Sequence, residues 1–113
     1  MTTDQDLEAK IAALRASFTA GLAARFAELD TAVAAIRPGV PLNGQSAPIK
    51  TIMDQAHKIA GSAGTFGYSE MSVIASQAEM LCDRILKNGH GGDEAALTEL
   101  RGKIAGIRAE LKS

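Results

Sequence analysis

Apolar residues in the first third of the chain fall at Leu7, Ile11, Leu14, Phe18, Leu22, Phe26, Leu29, Val33 and Ile36. Their spacings are 4, 3, 4, 4, 4, 3, 4 and 3, the signature of one apolar face on an α-helix. A period of 3.6 held this long cannot be reconciled with a strand, whose side chains alternate every second residue. The stripe is longer than most globular helices, so a break is expected, and Gly21 beside Thr19 is the natural place for it. The spacing therefore predicts a helix over about 4–19 and a second over about 21–36, or a single bent rod.

Residues 37–48, RPGVPLNGQSAP, read as a loop. Pro38 and Pro41 cannot lie in a helix interior, and Asn43-Gly44 is turn chemistry. Pro48 suits a first helical turn, and the stripe Ile49, Ile52, Met53, Ala56, Ile59, Ala60, Ala63 predicts a helix over about 47–64. Gly67 is placed to stop it. Ser69 is a suitable N-cap for a helix to about 87, with Met71, Ile74, Ala78, Leu81 and Ile85 on one face. Residues 88–92, NGHGG, form a turn, and Asp93 caps a final helix over about 93–111 with a seam at Leu97, Leu100, Ile104, Ile107 and Leu111. No segment reads as a strand. The seams predict an all-α, antiparallel up-down-up-down four-helix bundle in one domain, 1–113, with the additional N-terminal helix covering one end or groove.

The 113 residues can enclose one core but not a core plus a large substrate cavity. Aromatic residues are 4% of the chain, so that core must be aliphatic, which suits close-packed helices better than sheets. A net charge of −1 gives no basic surplus with which to neutralise a phosphate backbone, and nucleic-acid binding is not expected. No apolar run reaches the ~20 residues of a membrane span, and the N-terminus lacks the parts of a signal peptide. The lone Cys82 can form no internal disulfide. Together these features place the chain in the cytoplasm, with polar outer faces that suit a monomer.

One helix carries a histidine followed by glycines: His57, then Gly61, Gly64 and Gly67. Each interior glycine costs a helix about 1 kcal/mol relative to alanine. With Ala56 at the centre of the apolar face, His57 stands about 100° round, Gly61 about 140° and Gly64 about 80°. Lys50 and Asp54 share that side, and Lys58 lies about 100° further on. Helical side chains lean toward the N-terminus, so a side chain at 61 would lie over the imidazole one turn below, and one at 64 would crowd the same strip. Glycines there leave the ring open. Close helix–helix approach or a fraying helix end would account for them equally well.

A histidine base in a hydrolase needs a nucleophile and an orienting acid, and no G-x-S-x-G is present. A zinc site needs three or four ligands, and Asp54-x-x-His57 has no matching half. His90 is isolated in its glycine turn. A histidine that acts as a nucleophile on a reactive group brought by a partner needs only exposure, room and a neutral ring.

The stretch from His57 to Gly67, HKIAGSAGTFG, resembles the signature of histidine phosphotransfer (HPt) domains, H-x-L-K-G-S-S/A-x-x-L/F-G. His57 matches the phosphorylated histidine, Ile59 the apolar position, Gly61 and Ser62 the Gly-Ser pair, and Phe66-Gly67 the terminal pair. Downstream, Met71, Ile74, Ala78 and Glu79 resemble the following helix, where apolar positions end in an acidic or amide residue. Ala60 departs from the pattern: the family usually carries a lysine there that helps hold the phosphoryl group. Lys58 and Lys50 keep positive charge in the neighbourhood, the first round the helix and the second two turns down.

The resemblance implies a phosphocarrier in which Nε2 of His57 takes a phosphoryl group from one receiver-domain aspartate and passes it to another. It implies response-regulator receivers and a hybrid histidine kinase as partners, with Mg²⁺ in the receiver and no cofactor or metal in this chain. The phosphoryl-site environment would be Gly61, Gly64, Lys58, Lys50, Ser62 and Glu79. The docking rim would be Met53, Asp54, Ala60 and Phe66. No nucleotide-binding glycine loop is present, so autonomous kinase activity is not expected. Two other readings compete: the phospho-accepting domain of a chemotaxis-type histidine kinase, and a non-catalytic helical adaptor. The opening Met-Thr-Thr-Asp and an end soon after the last helix favour a free-standing protein over the kinase fragment.

Overall fold

The computed structural model describes residues 3–37, 39–88 and 93–112. They form four α-helices: α1 (Thr3–Ala35), α2 (Ser46–Ala63), α3 (Ser69–Asn88) and α4 (Asp93–Lys112). No strand occurs among them. The expected turn at 88–92 lies, at residues 89–92, outside the described residues, as does His90. The side chain of Asp93, the expected cap of α4, is likewise not described.

The two helices expected over 4–19 and 21–36 are one continuous α1, a correction with a local cause. The Thr19 hydroxyl donates back to the Ala16 carbonyl at 3.0 Å, so it is satisfied inside the helix and caps nothing ahead of it. Gly21 is exposed, and a Cβ built there would meet nothing within 4 Å. No neighbour requires a bend at that point, and one interior glycine is a tolerable cost.

At 33 residues, α1 is about 50 Å long, against about 30 Å for each of the others. Its C-terminal half enters the core through Leu22, Phe26, Leu29 and Ala32, with Ile36 just beyond its end. Its N-terminal half runs past the end of the bundle. Leu7, Ile11 and Leu14, expected on a buried seam, are therefore 56%, 47% and 57% exposed.

The core matches the seams of the other helices. Ile49, Ile52, Ala56, Ile59 and Ala63 of α2 are buried. They meet Met71, Ala75, Ala78, Leu81, Cys82 and Ile85 of α3 and Leu100, Ile104 and Ile107 of α4. Arg25 bonds Gln55 between α1 and α2, and Arg37 bonds Gln45 across the loop that joins them. His57 pairs with Glu79 and Ala60 with Ser72 between α2 and α3. Asp30 receives a forked ion pair from Arg108, which also covers the Phe26 ring at 5.0 Å.

The α1–α2 loop is held by a residue the sequence did not advertise. The buried Gln45 amide nitrogen donates to the Arg37 and Val40 carbonyls at 3.1 and 3.0 Å, and its oxygen accepts from the Arg37 backbone N–H. Its amide nitrogen and oxygen are thus both partnered, which permits its burial.

Candidate functional site

The site begins with how α2 ends. A 3-10 turn over Gly64–Phe66 follows Ala63, and Gly67 then takes φ +89°, a left-handed conformation that favours glycine. The Tyr68 N–H bonds the Ala63 carbonyl at 2.9 Å and the Gly67 N–H reaches the Gly64 carbonyl at 3.4 Å. This pair is the Schellman arrangement, and it turns the chain straight into α3. Ser69, expected as the N-cap of α3, is instead its first helical residue.

The tight reversal lays α3 along α2 and sets their side chains in register. The Ser72 hydroxyl donates to the Ala60 carbonyl at 2.7 Å. Two turns along α3, a carboxylate oxygen of Glu79 stands 2.8 Å from Nδ1 of His57. The imidazole is 71% exposed and the Glu79 side chain 33%. A carboxylate can only accept, so Nδ1 carries the proton in this contact, and in a neutral ring the lone pair is then on Nε2. The ring is therefore oriented by α3 and largely open to solvent.

The other residues singled out in the sequence divide around this pair. Gly61 is exposed, and a Cβ there would find nothing within 4 Å, so the space beside the ring is open. Gly64 is different: its Cβ would touch Ser72 at 3.8 Å, which makes it a contact position with α3 rather than part of the space over the imidazole. Lys58 is paired with Asp54 at 3.0 Å, one turn apart on α2, and both are engaged there rather than with His57. Lys50 is exposed two turns below, about 10 Å along the axis. Ser62 is half-buried, and no hydrogen bond joins it to His57 among the described residues.

Of the expected rim, Met53 and Ala60 are half-buried against the core. Phe66 is turned to α1, where its ring stacks on Phe18 with centroids 5.1 Å apart, so it braces the end of the bundle instead of flanking the histidine. A residue that sequence reasoning missed is Met80, 70% exposed next to Glu79. With Met53, Glu79, Asp83 and Arg84 it lines a shallow groove running from the histidine's partner. The available signal was a methionine off the apolar stripe of α3.

A family model described as Hpt domain matches residues 13–110. The chain belongs to the Hpt domain family. Such domains carry out histidine phosphotransfer in two-component phosphorelays, where they act in general as phosphocarriers rather than kinases. They work with receiver domains and histidine kinases. No curated protein and no solved structure matches the chain. In this Hpt domain no described helix is long and apolar enough to cross a membrane. Among the described residues, no group of three His, Cys, Asp or Glu side chains could hold a metal ion.

Proposed function

We propose that this Hpt domain relays a phosphoryl group between receiver aspartates through His57. One observation carries the choice of residue: an imidazole 71% exposed, with Nδ1 held at 2.8 Å by Glu79. Nε2 attacks the phosphorus of an aspartyl-phosphate, the P–N bond forms, and the acyl P–O bond breaks to release the aspartate carboxylate. The phosphorylated ring then carries positive charge, and the Glu79 carboxylate on Nδ1–H stabilises it. Attack on the same phosphorus by a second receiver's aspartate reverses these bonds and returns His57 to its neutral form.

Such transfer passes through a loose transition state that needs positioning and charge neutralisation more than covalent help. In this reading the receiver brings Mg²⁺ and an acidic pocket, and the Hpt domain brings a nucleophile on a rigid helix. The bundle is read as up-down-up-down and antiparallel, which presents His57 midway along its length, clear of both ends. Gly61 leaves room for the receiver's approach, while Met53, Met80 and Ala60 offer an apolar rim. Lys50, Lys58 and Asp54 contribute charge at greater distance. The partners are response-regulator receivers and a hybrid histidine kinase, in the cytoplasm.

The test is transfer from a panel of phosphorylated receivers, scored for acid-labile, alkali-stable label. Wild type should label, and His57→Ala should stay folded by circular dichroism and take none. Equal labelling of the variant would sink the assignment of His57, and a wild type that no receiver labels would sink the relay itself.

A further inference from the structure

Beyond the bundle, the N-terminal half of α1 carries an uncovered apolar stripe. Leu7, Ile11 and Leu14 are each about half exposed, and they continue the line of Phe18 and Leu22. Single exposed apolar residues are ordinary, but an aligned row of three on one helix face marks a contact surface. Beside the stripe stand Glu8 and Arg15, about two turns apart on one edge, and neither has an ion-pair partner among the described residues. The Arg15 guanidinium lies over Gly67, where a Cβ would come within 2.9 Å of its Nη2.

We propose that this face pairs with the same face of a second copy, the two α1 arms lying antiparallel about a two-fold axis near Ile11. The charges select that occupant. An axis there sets Leu7 of each copy beside Leu14 of the other and brings the two Ile11 side chains together. The same operation places Glu8 of each copy against Arg15 of the other, so one edge supplies two ion pairs. A parallel two-fold pairing would instead put the two copies of this edge on opposite sides of the seam and turn each Arg15 toward Lys10 of the other copy, a contact of like charges. Isologous two-fold contacts of this kind are the commonest in soluble oligomers. The interface is small, so association is weak and concentration-dependent. It leaves His57 uncovered, because His57 stands about 15 Å along α2 from the Gly67 turn, where the bundle meets the arm at Arg15. The surface departs from the monomer expected of polar outer faces.

Sedimentation velocity of the full chain, from about 5 to about 500 µM, brackets the affinity of such an interface. The wild type should shift from monomer toward dimer across that range. Leu14→Asp should hold it monomeric. Glu8→Arg and Arg15→Glu should each weaken dimerisation about tenfold, since each reverses two charge contacts. The double variant Glu8→Arg/Arg15→Glu should recover the wild-type constant to within about threefold. Circular dichroism confirms that each variant keeps its helix content, as substitutions on an exposed face should. A chain that remains monomeric throughout overturns the proposal and leaves the stripe to a different partner. So does a dimer indifferent to Leu14→Asp, or a double variant no better than the single ones.

Discussion

His57 and Glu79 are 22 residues apart in the chain and meet because the Gly67 turn fixes the register of α3 on α2. A hydrogen bond to a charged group contributes about 1.5–3 kcal/mol when buried, and exposure reduces this one to about 1 kcal/mol. Glu79→Ala should therefore slow phosphotransfer roughly fivefold or more, with the domain still folded. Glu79→Gln, which keeps an acceptor but not the charge, should fall between. Stopped-flow transfer from one phosphorylated receiver would measure both. Gly61 gives a second contrast. Its open surroundings mean Gly61→Ala should raise stability by about 0.5–1 kcal/mol in thermal melts. Gly61→Leu should also keep the fold but slow transfer, because the longer chain leans over the imidazole. His57 was legible in the sequence as an exposed side chain with open space beside it at Gly61. Its partner was visible only as a position of the right type: helical periodicity ranks faces of one helix and says nothing about which residue of another helix will stand opposite.

At the scale of elements, the reversal after α2 is the most demanding piece of backbone. Gly67 sits at φ +89° under the Arg15 guanidinium. A side chain there meets both the left-handed penalty, about 1–2 kcal/mol, and a displaced arginine. Gly67→Ala should lower stability by about that amount, read from urea denaturation, and loosen the α2–α3 register. The stop at Gly67 could be read from sequence because glycine there has a specific conformational meaning. The continuity of α1 could not. Gly21 and Thr19 look like breakers, yet a breaker acts only where surrounding contacts ask for a break, and this segment has open space on that face. The stacking of Phe66 on Phe18 is likewise not legible in the sequence, because it depends on how far α1 travels beyond the bundle.

For the molecule as a whole, the aliphatic core follows directly from the chain's composition, and it encloses the only cysteine. Burial pushes the Cys82 thiol up to about 12, and the nearby Glu79 carboxylate adds to the shift. Folding thus favours the protonated thiol. The unfolded chain loses that proton near 9 and the folded one near 12, so this contribution is complete below pH 9 and declines as pH rises between those values. Alkylation at neutral pH should be slow in the native domain and fast in urea, and the Cys82→Ala variant should lose less stability between pH 9 and 11 than wild type. The overall shape, 62 × 22 × 20 Å, is set by the arm of α1 and not by the bundle. No composition-level argument could have foreseen it, because an apolar stripe looks the same whether or not another helix faces it.

The junction between arm and bundle has its own optical label. Tyr68 is the single tyrosine of a chain without tryptophan, and it lies 5.9 Å from the Phe18 ring where α1 leaves the core. Ultraviolet emission from the unmodified protein therefore arises from that one point. It offers a way to watch the arm's root loosen, or a neighbour settle against it, without attaching a dye.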